Sequence, residues 1–212
     1  MKKLGITQRV EVRRQVNERR DCLDQKWYEL AKSWGFSPIP LPNLRVGEGA
    51  VHRYLESLSL DAIILSGGNS LEALAPMAHD RAPERDAFEI AVINFCISRE
   101  RPLLGVCRGM QIINHHFGGQ LTPVTEHVGT RHQLLVDPEH ASVITRDVNS
   151  FHNWGIAPNQ LGDTLQSIAT DEQGYIEAFR HQRHRIAGIM WHPERETPFR
   201  PKDAALIDRL LK

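Results

Sequence analysis

Pro102-Leu103-Leu104-Gly105-Val106-Cys107-Arg108-Gly109-Met110-Gln111 decides how this chain reads: an apolar strand runs into a glycine-flanked cysteine and then into a helix. Gly-x-Cys-x-Gly has the logic of the Gly-x-Ser-x-Gly elbow. Small neighbours let the backbone turn sharply and lift a nucleophile out of a sheet, at the positive end of the following helix. That location favours the thiolate, the attacking species, over a free thiol whose pKa is ~8.5. A lone cysteine is more often a buried packing residue, so the elbow reading needs partners elsewhere.

Those partners lie near the end of the chain, in Ile186-Ala187-Gly188-Ile189-Met190-Trp191-His192-Pro193-Glu194, a second apolar strand ending in His-Pro-Glu. His192 can take the thiol proton, and Glu194 can hold the other imidazole nitrogen in the right tautomer. Pro193 fixes the turn between them. A third apolar strand, Asp61 to Leu65, ends in Ser66-Gly67-Gly68.

Between these motifs the chain alternates strands and helices. Leu4-Gly5-Ile6 is a first strand. A helix is expected from about Asn17 to Trp34, where Leu23, Trp27, Leu30, Ala31 and Trp34 recur at helical spacing before the stop at Gly35. Ser37 to Leu41 is a proline-limited edge segment, and helices follow around 51–58 and 84–98. The stripe Phe88, Ala91, Val92, Phe95 and Cys96 on the second of these makes Cys96 a core residue. After the turn at Gly118-Gly119, strands are expected at 134–136, 165–169, 175–179 and 186–191, the last two as a hairpin, before a terminal helix at 202–211. The pattern predicts an α/β fold: a mixed, mostly parallel sheet with helices on both faces and active residues at the carboxyl ends of its strands.

Composition fits a soluble enzyme of one domain, 1–212, with 41% hydrophobic residues and 26 basic against 26 acidic side chains. Zero formal net charge argues against general nucleic-acid or anionic-membrane binding, which need a cationic surface. No apolar run approaches the ~20 residues of a membrane span, and Met1-Lys2-Lys3 leads into a short strand rather than a signal-peptide core. Cys22, Cys96 and Cys107 are sparse and unpaired in spacing, as in a reducing compartment. The cytoplasm is expected. No metal or cofactor is expected either: His115-His116 lack the i, i+4 spacing of a helical zinc pair, and no calcium loop or phosphate-binding Gly-x-x-x-x-Gly-Lys occurs. Arg180-His181-Gln182-Arg183-His184-Arg185 reads as a solvated turn whose charge can steer an anion.

The Cys107 elbow, the His192-Pro193-Glu194 turn and Ser66-Gly67-Gly68 together resemble the class I glutamine amidotransferase superfamily, over most of the chain. Arg108, the Gly5-Ile6-Thr7-Gln8-Arg9 opening, Arg85-Asp86 and Val148-Asn149-Ser150-Phe151-His152 resemble its stand-alone γ-glutamyl hydrolase branch. The short length and the segment Arg20 to Trp27 look closest to γ-glutamyl-CDP-amidate hydrolases of capsule phosphoramidate pathways. The resemblance implies a flavodoxin-like fold and a thioester route on Cys107, with the backbone N–H groups of Gly68 and Arg108 as oxyanion donors. It implies that Gln111 contacts the glutamyl group, and that main-chain groups of Asn149, Ser150 and Phe151 hold its carboxylate beside His152. Asn69, Glu72 and Arg108 are open between substrate contact and support. Arg9 is the candidate for an anionic leaving group, because planar guanidinium suits phosphate, with Arg13 and Arg14 farther along the same loop. The partner is then a small γ-glutamyl substrate. A homo-oligomer, a glutaminase subunit feeding a synthetase, and a non-enzymatic binding protein on the same fold stay open as alternatives.

Overall fold

A computed structural model describes residues 1–74 and 78–211. In chain order the elements are β1 (Lys2–Thr7), β2 (Arg9–Arg13), β3 (Glu18–Cys22), α1 (Lys26–Ser33), β4 (Phe36–Leu41), α2 (Glu48–Leu58), β5 (Ala62–Leu65), α3 (Pro83–Ser98), β6 (Leu103–Val106), α4 (Arg108–His116) and β7 (Thr122–Pro123). They continue with β8 (Val128–Val136), β9 (Asp147–Phe151), β10 (Trp154–Gly155), β11 (Leu165–Asp171), β12 (Ile176–His181), β13 (Ile186–Ile189) and α5 (Pro201–Leu211). One sheet has the order β4-β1-β5-β6-β13-β12-β11-β8-β9. From β4 to β13 every pair is parallel, and from β13 to β9 every pair is antiparallel. Only β12 and β8 therefore run against the rest, so the sheet is mixed and mostly parallel, as expected. Its parallel half has the doubly wound order 2-1-3-4-5 when its strands are numbered along the chain, the flavodoxin-like arrangement.

The short central strands are apolar at every position because both faces are covered. Ile63, Leu65 and Leu103 pack with α2, α3 and α4, while Ala62, Ile64, Leu104 and Val106 pack with α1 and α5. Cys96 is buried among the first set, as its helical stripe implies. Pro38 and Pro40 lie in β4, an edge strand, where a missing donor is tolerated. No helix among the described residues is long and apolar enough to cross a membrane.

The opening of the expected 17–34 helix is corrected. Helix α1 begins only at Lys26, where Asp24 Oδ1 accepts its N–H at 2.9 Å. Residues 9–22 instead form a β2–β3 hairpin turning at Asn17, whose φ is 51°. Arg9-Val10-Glu11-Val12-Arg13 alternates with period two, the signature of a strand. Val10 is buried and its N–H donates to Asn69 Oδ1 at 2.7 Å, which stitches the hairpin to the segment after β5. Arg9, Arg13 and Arg14 thus belong to a hairpin and its tip, not to an open loop.

Candidate active site

Strands β6 and β13 pair in parallel with Val106 opposite Ile189, and the Cys107 N–H donates to Ile189 O at 2.8 Å. The two strands therefore deliver Cys107 and the segment leading to His192 at one carboxyl edge. Cys107 has φ 52° and ψ −107°, a left-handed-side conformation that is costly for a residue with a Cβ. Its flanking glycines make the turn possible by close approach. A Cβ at Gly105 would overlap the Gly109 carbonyl, and one at Gly109 would overlap the Leu65 carbonyl.

His192 is 2% exposed and its Nδ1 lies 2.6 Å from Glu194 Oε1. The Cys107 sulfur also acts on its ring. Burial pushes the imidazole down, but the sulfur of Cys107 and the Glu194 carboxylate outweigh it and raise His192 from 6.5 to about 9. The Asn149 side chain brackets the His192 main chain: Oδ1 accepts from its N–H at 2.9 Å, and Nδ2 donates to its carbonyl at 2.8 Å and to Glu196 Oε1 at 2.8 Å.

A cavity of about 210 Å³ opens over Cys107, lined by Gly68, Gln111, Phe151, His152 and His192 among others. Gln111 turns inward, its Nε2 donating to Trp154 O at 3.0 Å. The Phe151 ring stands edge-on to His192 at 5.8 Å with the Arg195 guanidinium 4.2 Å above it. A neighbouring space of about 60 Å³ is lined by Arg9, Gly68, His192, Glu194 and Arg195. The Arg9 stem packs against Gly68, whose φ of +83° favours glycine. Arg9 has no hydrogen-bond or ion-pair partner among the described residues.

Three expected placements change. Asn149 and Ser150 do not line the cavity: Asn149 is spent on His192, and Ser150 Oγ donates to His127 O at 2.7 Å. Successive strand residues point to opposite faces, so Ser150 turns away from Phe151; Asn149 shares the Phe151 face but is taken up by His192, and of the three only Phe151 reaches the cavity. Glu72 also lies away from it, 3.6 Å from Arg81. Asn69 lines the cavity and supports its wall, donating to Val10 O and Asp80 O. Finally, the 180–185 cluster lies where β13 begins, the opposite end of the sheet from Cys107.

Sequence reasoning missed the set of buried charges behind the site. Arg85 Nη2 donates to Ser66 O at 2.6 Å, its Nη1 to Gly68 O at 2.6 Å, and its Nε to Glu89 Oε1 at 2.9 Å. Glu89 also accepts from Thr7 Oγ1 at 2.7 Å and from Arg108, which binds Asp86 as well. The Arg108 side chain is thus structural support rather than a substrate contact. Burial pushes Arg85 down to about 10 despite Glu89 beside it. Glu89 is held below the carboxylate range because Arg108 and Arg85 overcome its burial. One network therefore anchors both Gly68 and the residue after Cys107. The i, i+4 pair Arg85 and Glu89 on an otherwise core-facing helix was the available signal.

His127, His152 and Glu177 form the cluster nearest to a metal-ligand set. His127 is already engaged on both sides: its Nδ1 faces Thr125 O at 2.7 Å and its Nε2 faces Asp171 Oδ2 at 2.9 Å, so both nitrogens are turned to protein oxygens rather than to a shared centre.

The Peptidase C26 family model matches residues 4–194. The chain is 36% identical over 197 residues to a γ-glutamyl-CDP-amidate hydrolase of Campylobacter jejuni, covering 92% of this chain and 90% of that one. It is 27% identical to a γ-glutamyl-γ-aminobutyrate hydrolase of Escherichia coli O157:H7, covering 81% and 78%. A glutamine amidotransferase structure from Thermotoga maritima superposes with TM-score 0.66 at 16% identity, covering 99% of this chain and 84% of that one. With its elbow, its His-Pro-Glu turn and its sheet order in place, the chain belongs to the Peptidase C26 family, of class I glutamine amidotransferase-like fold.

Proposed function

We propose that this protein hydrolyses a γ-glutamyl amide or phosphoramidate through a covalent intermediate on Cys107. The observation that carries the reading is the strained Cys107 elbow beside a His192 that Glu194 orients, with Cys107 and His192 at the wall of one cavity. Cys107 Sγ attacks the γ-glutamyl carbonyl carbon. The N–H groups of Gly68 and Arg108 receive the developing oxyanion, on segments that the Arg85 network holds in place before reaction. The C–N bond then breaks, His192 delivers its proton to the leaving nitrogen, and a thioester remains. Water gives a proton to His192, its oxygen adds to the thioester carbon, and the C–S bond breaks to release glutamate and the thiolate.

Gln111 and main-chain groups around Phe151 are the glutamyl contacts in this reading. The name of the Campylobacter relative and its coverage support a nucleotide amidate as the leaving side. Arg9, unpaired beside Gly68 and His192, supports an anionic group there. The test is turnover of γ-glutamyl-CDP-amidate, γ-glutamyl-γ-aminobutyrate and glutamine by the purified chain alone, with Cys107→Ala as control. Glutamate should appear from at least one γ-glutamyl compound with wild type and not with the variant. Substantial turnover by Cys107→Ala removes the covalent route. Activity on glutamine alone, and only after a synthetase is added, makes the chain a glutaminase subunit instead.

A further inference from the structure

The strand that leads to His192 stops short of it. β13 pairs with β6 and β12 as far as Ile189, and Met190 N–H still donates to Glu177 O at 2.8 Å. His192 has left the sheet, and among the described residues no main-chain oxygen accepts its N–H. Asn149 of β9 does so instead, through Oδ1 at 2.9 Å, and its Nδ2 donates to His192 O at 2.8 Å. These partners fix which way the amide points, because an N–H only donates and a carbonyl only accepts. One side chain thus makes the exchange of two hydrogen bonds that a neighbouring strand residue makes in a ladder.

Asn149 is itself anchored. It is 5% exposed and lies opposite Arg131 of β8. Its Nδ2 also donates to Glu196 Oε1 at 2.8 Å, which accepts from Arg131 Nη1 at 3.1 Å, while Glu196 Oε2 lies 3.1 Å from Arg200 Nη2. Asp147 pairs with both arginines, at 2.6 Å from Arg131 and 3.4 Å from Arg200. Two arginines and two carboxylates therefore hold one another, and the amide meets a tethered acceptor. On the far side the His192 ring has little room. Glu194 Oε1 lies 2.6 Å from Nδ1, and a Cβ at Gly67 would come within 2.6 Å of Cε1. With the ring confined in this way, its reach toward Cys107 depends on where the main chain of residue 192 sits.

We propose that Asn149 is a positioning residue: its carboxamide holds the His192 main chain where the imidazole meets both Cys107 and Glu194. The proposal rests on the proposed role of His192 as the proton carrier. It differs from what the resemblance implies for this segment, in which main-chain groups contact the glutamyl carboxylate, because here a side chain acts and acts on the protein. A catalytic group misplaced by about 1 Å can cost about 10²-fold in rate.

Asn149→Ala removes both arms of the clasp. The near-isosteric Asn149→Asp keeps an acceptor but turns carboxylate oxygens toward His192 O and Glu196. On a γ-glutamyl compound that the wild type turns over, kcat should fall about 10²-fold in each variant while KM stays within about 3-fold. Urea unfolding checks that each variant is folded in the assay. A raised KM with unchanged kcat would return Asn149 to substrate binding and overturn the proposal. A lowered urea midpoint with wild-type kcat and KM would overturn it too, as the mark of a packing role. The second readout needs no turnover. Followed by proton NMR through a pH titration, the His192 Cε1–H signal should titrate near 9 in the wild type and lower, toward 6.5, in Asn149→Ala, as the ring loosens from the two groups that raise it. An unmoved titration overturns the positioning role even if the wild type hydrolyses no γ-glutamyl compound, a result that would overturn the proposed function instead. Asn149→Ser, whose hydroxyl reaches less far than the carboxamide, gives the same two readouts should Asn149→Ala not fold.

Discussion

His192 carries the pH behaviour of the proposed chemistry. Raised from 6.5 to about 9 by Cys107 and Glu194 against its burial, it stays protonated through neutrality and can donate to a leaving nitrogen. Turnover should therefore fall as pH rises through about 9. Glu194→Gln removes one of the two groups that raise the value, so the alkaline limb of kcat should move down toward 6.5 while the imidazole stays hydrogen-bonded. A limb unmoved in Glu194→Gln would mean that another group titrates there. Arg9 gives the second residue-scale expectation: Arg9→Ala should weaken kcat/KM for a γ-glutamyl nucleotide by about 1.5–3 kcal/mol, the scale of a hydrogen bond to a charged group. An uncharged γ-glutamyl anilide should lose much less, and equal losses would make Arg9 structural. The residues proposed to react were legible because an elbow and a His-Pro-Glu turn are local patterns. Asn149 was not, since a sequence does not say that a strand side chain will clasp the backbone of a residue on another segment.

Helix α3 illustrates what element-level reading captures and omits. Its apolar stripe gave the correct span, but Arg85 and Glu89 lie on a buried face where periodicity predicts only apolar side chains. Such charges survive burial by pairing, and breaking one pair leaves the other charge uncompensated. Glu89→Gln should accordingly destabilise the fold by about 3–5 kcal/mol in urea unfolding, because it leaves both Arg85 and Arg108 short of a carboxylate. A loss under about 1 kcal/mol would show that Asp86 and the carbonyls of 66–68 suffice. The β2–β3 hairpin was misread for a different reason. The stripe of α1 is real from Trp27 onward, and extending it backward overrode the two-residue alternation of 9–13 and the turn at Asn17.

Across the molecule, the class of fold follows from alternating apolar strands and amphipathic helices, whereas strand order does not. Which strands become neighbours depends on crossovers between distant segments, so the placement of β13 between β6 and β12 is a property of the packed sheet. One helix-to-sheet contact gives a global expectation. Asp203 of α5 is 2% exposed, accepts from Trp191 Nε1 at 3.2 Å, and has its other oxygen unpartnered. Burial raises it from 3.8 to about 6. The folded state thus prefers the protonated acid. Its contribution to stability is full below about 3.8 and is lost as pH rises through about 6, a change of about 3 kcal/mol at 1.36 kcal/mol per unit. Asp203→Asn has no such term. Relative to wild type, the variant should gain about that much stability in urea unfolding between pH 4 and pH 7. A difference independent of pH would show that Asp203 stays ionised when folded.

The wall shared by the two spaces beside Cys107 bears on how the proposed reaction partitions. Gly68, His192 and Arg195 border both the larger cavity, which holds the proposed glutamyl contacts, and the smaller one at Arg9. A leaving group on the Arg9 side can depart while the acyl group stays on the other. The vacated space is then where the second nucleophile must enter, and His192 faces it. Water is the smallest entrant but shares the route with any amine that fits, so the width and charge of that side set the ratio of hydrolysis to transfer onto a new acceptor.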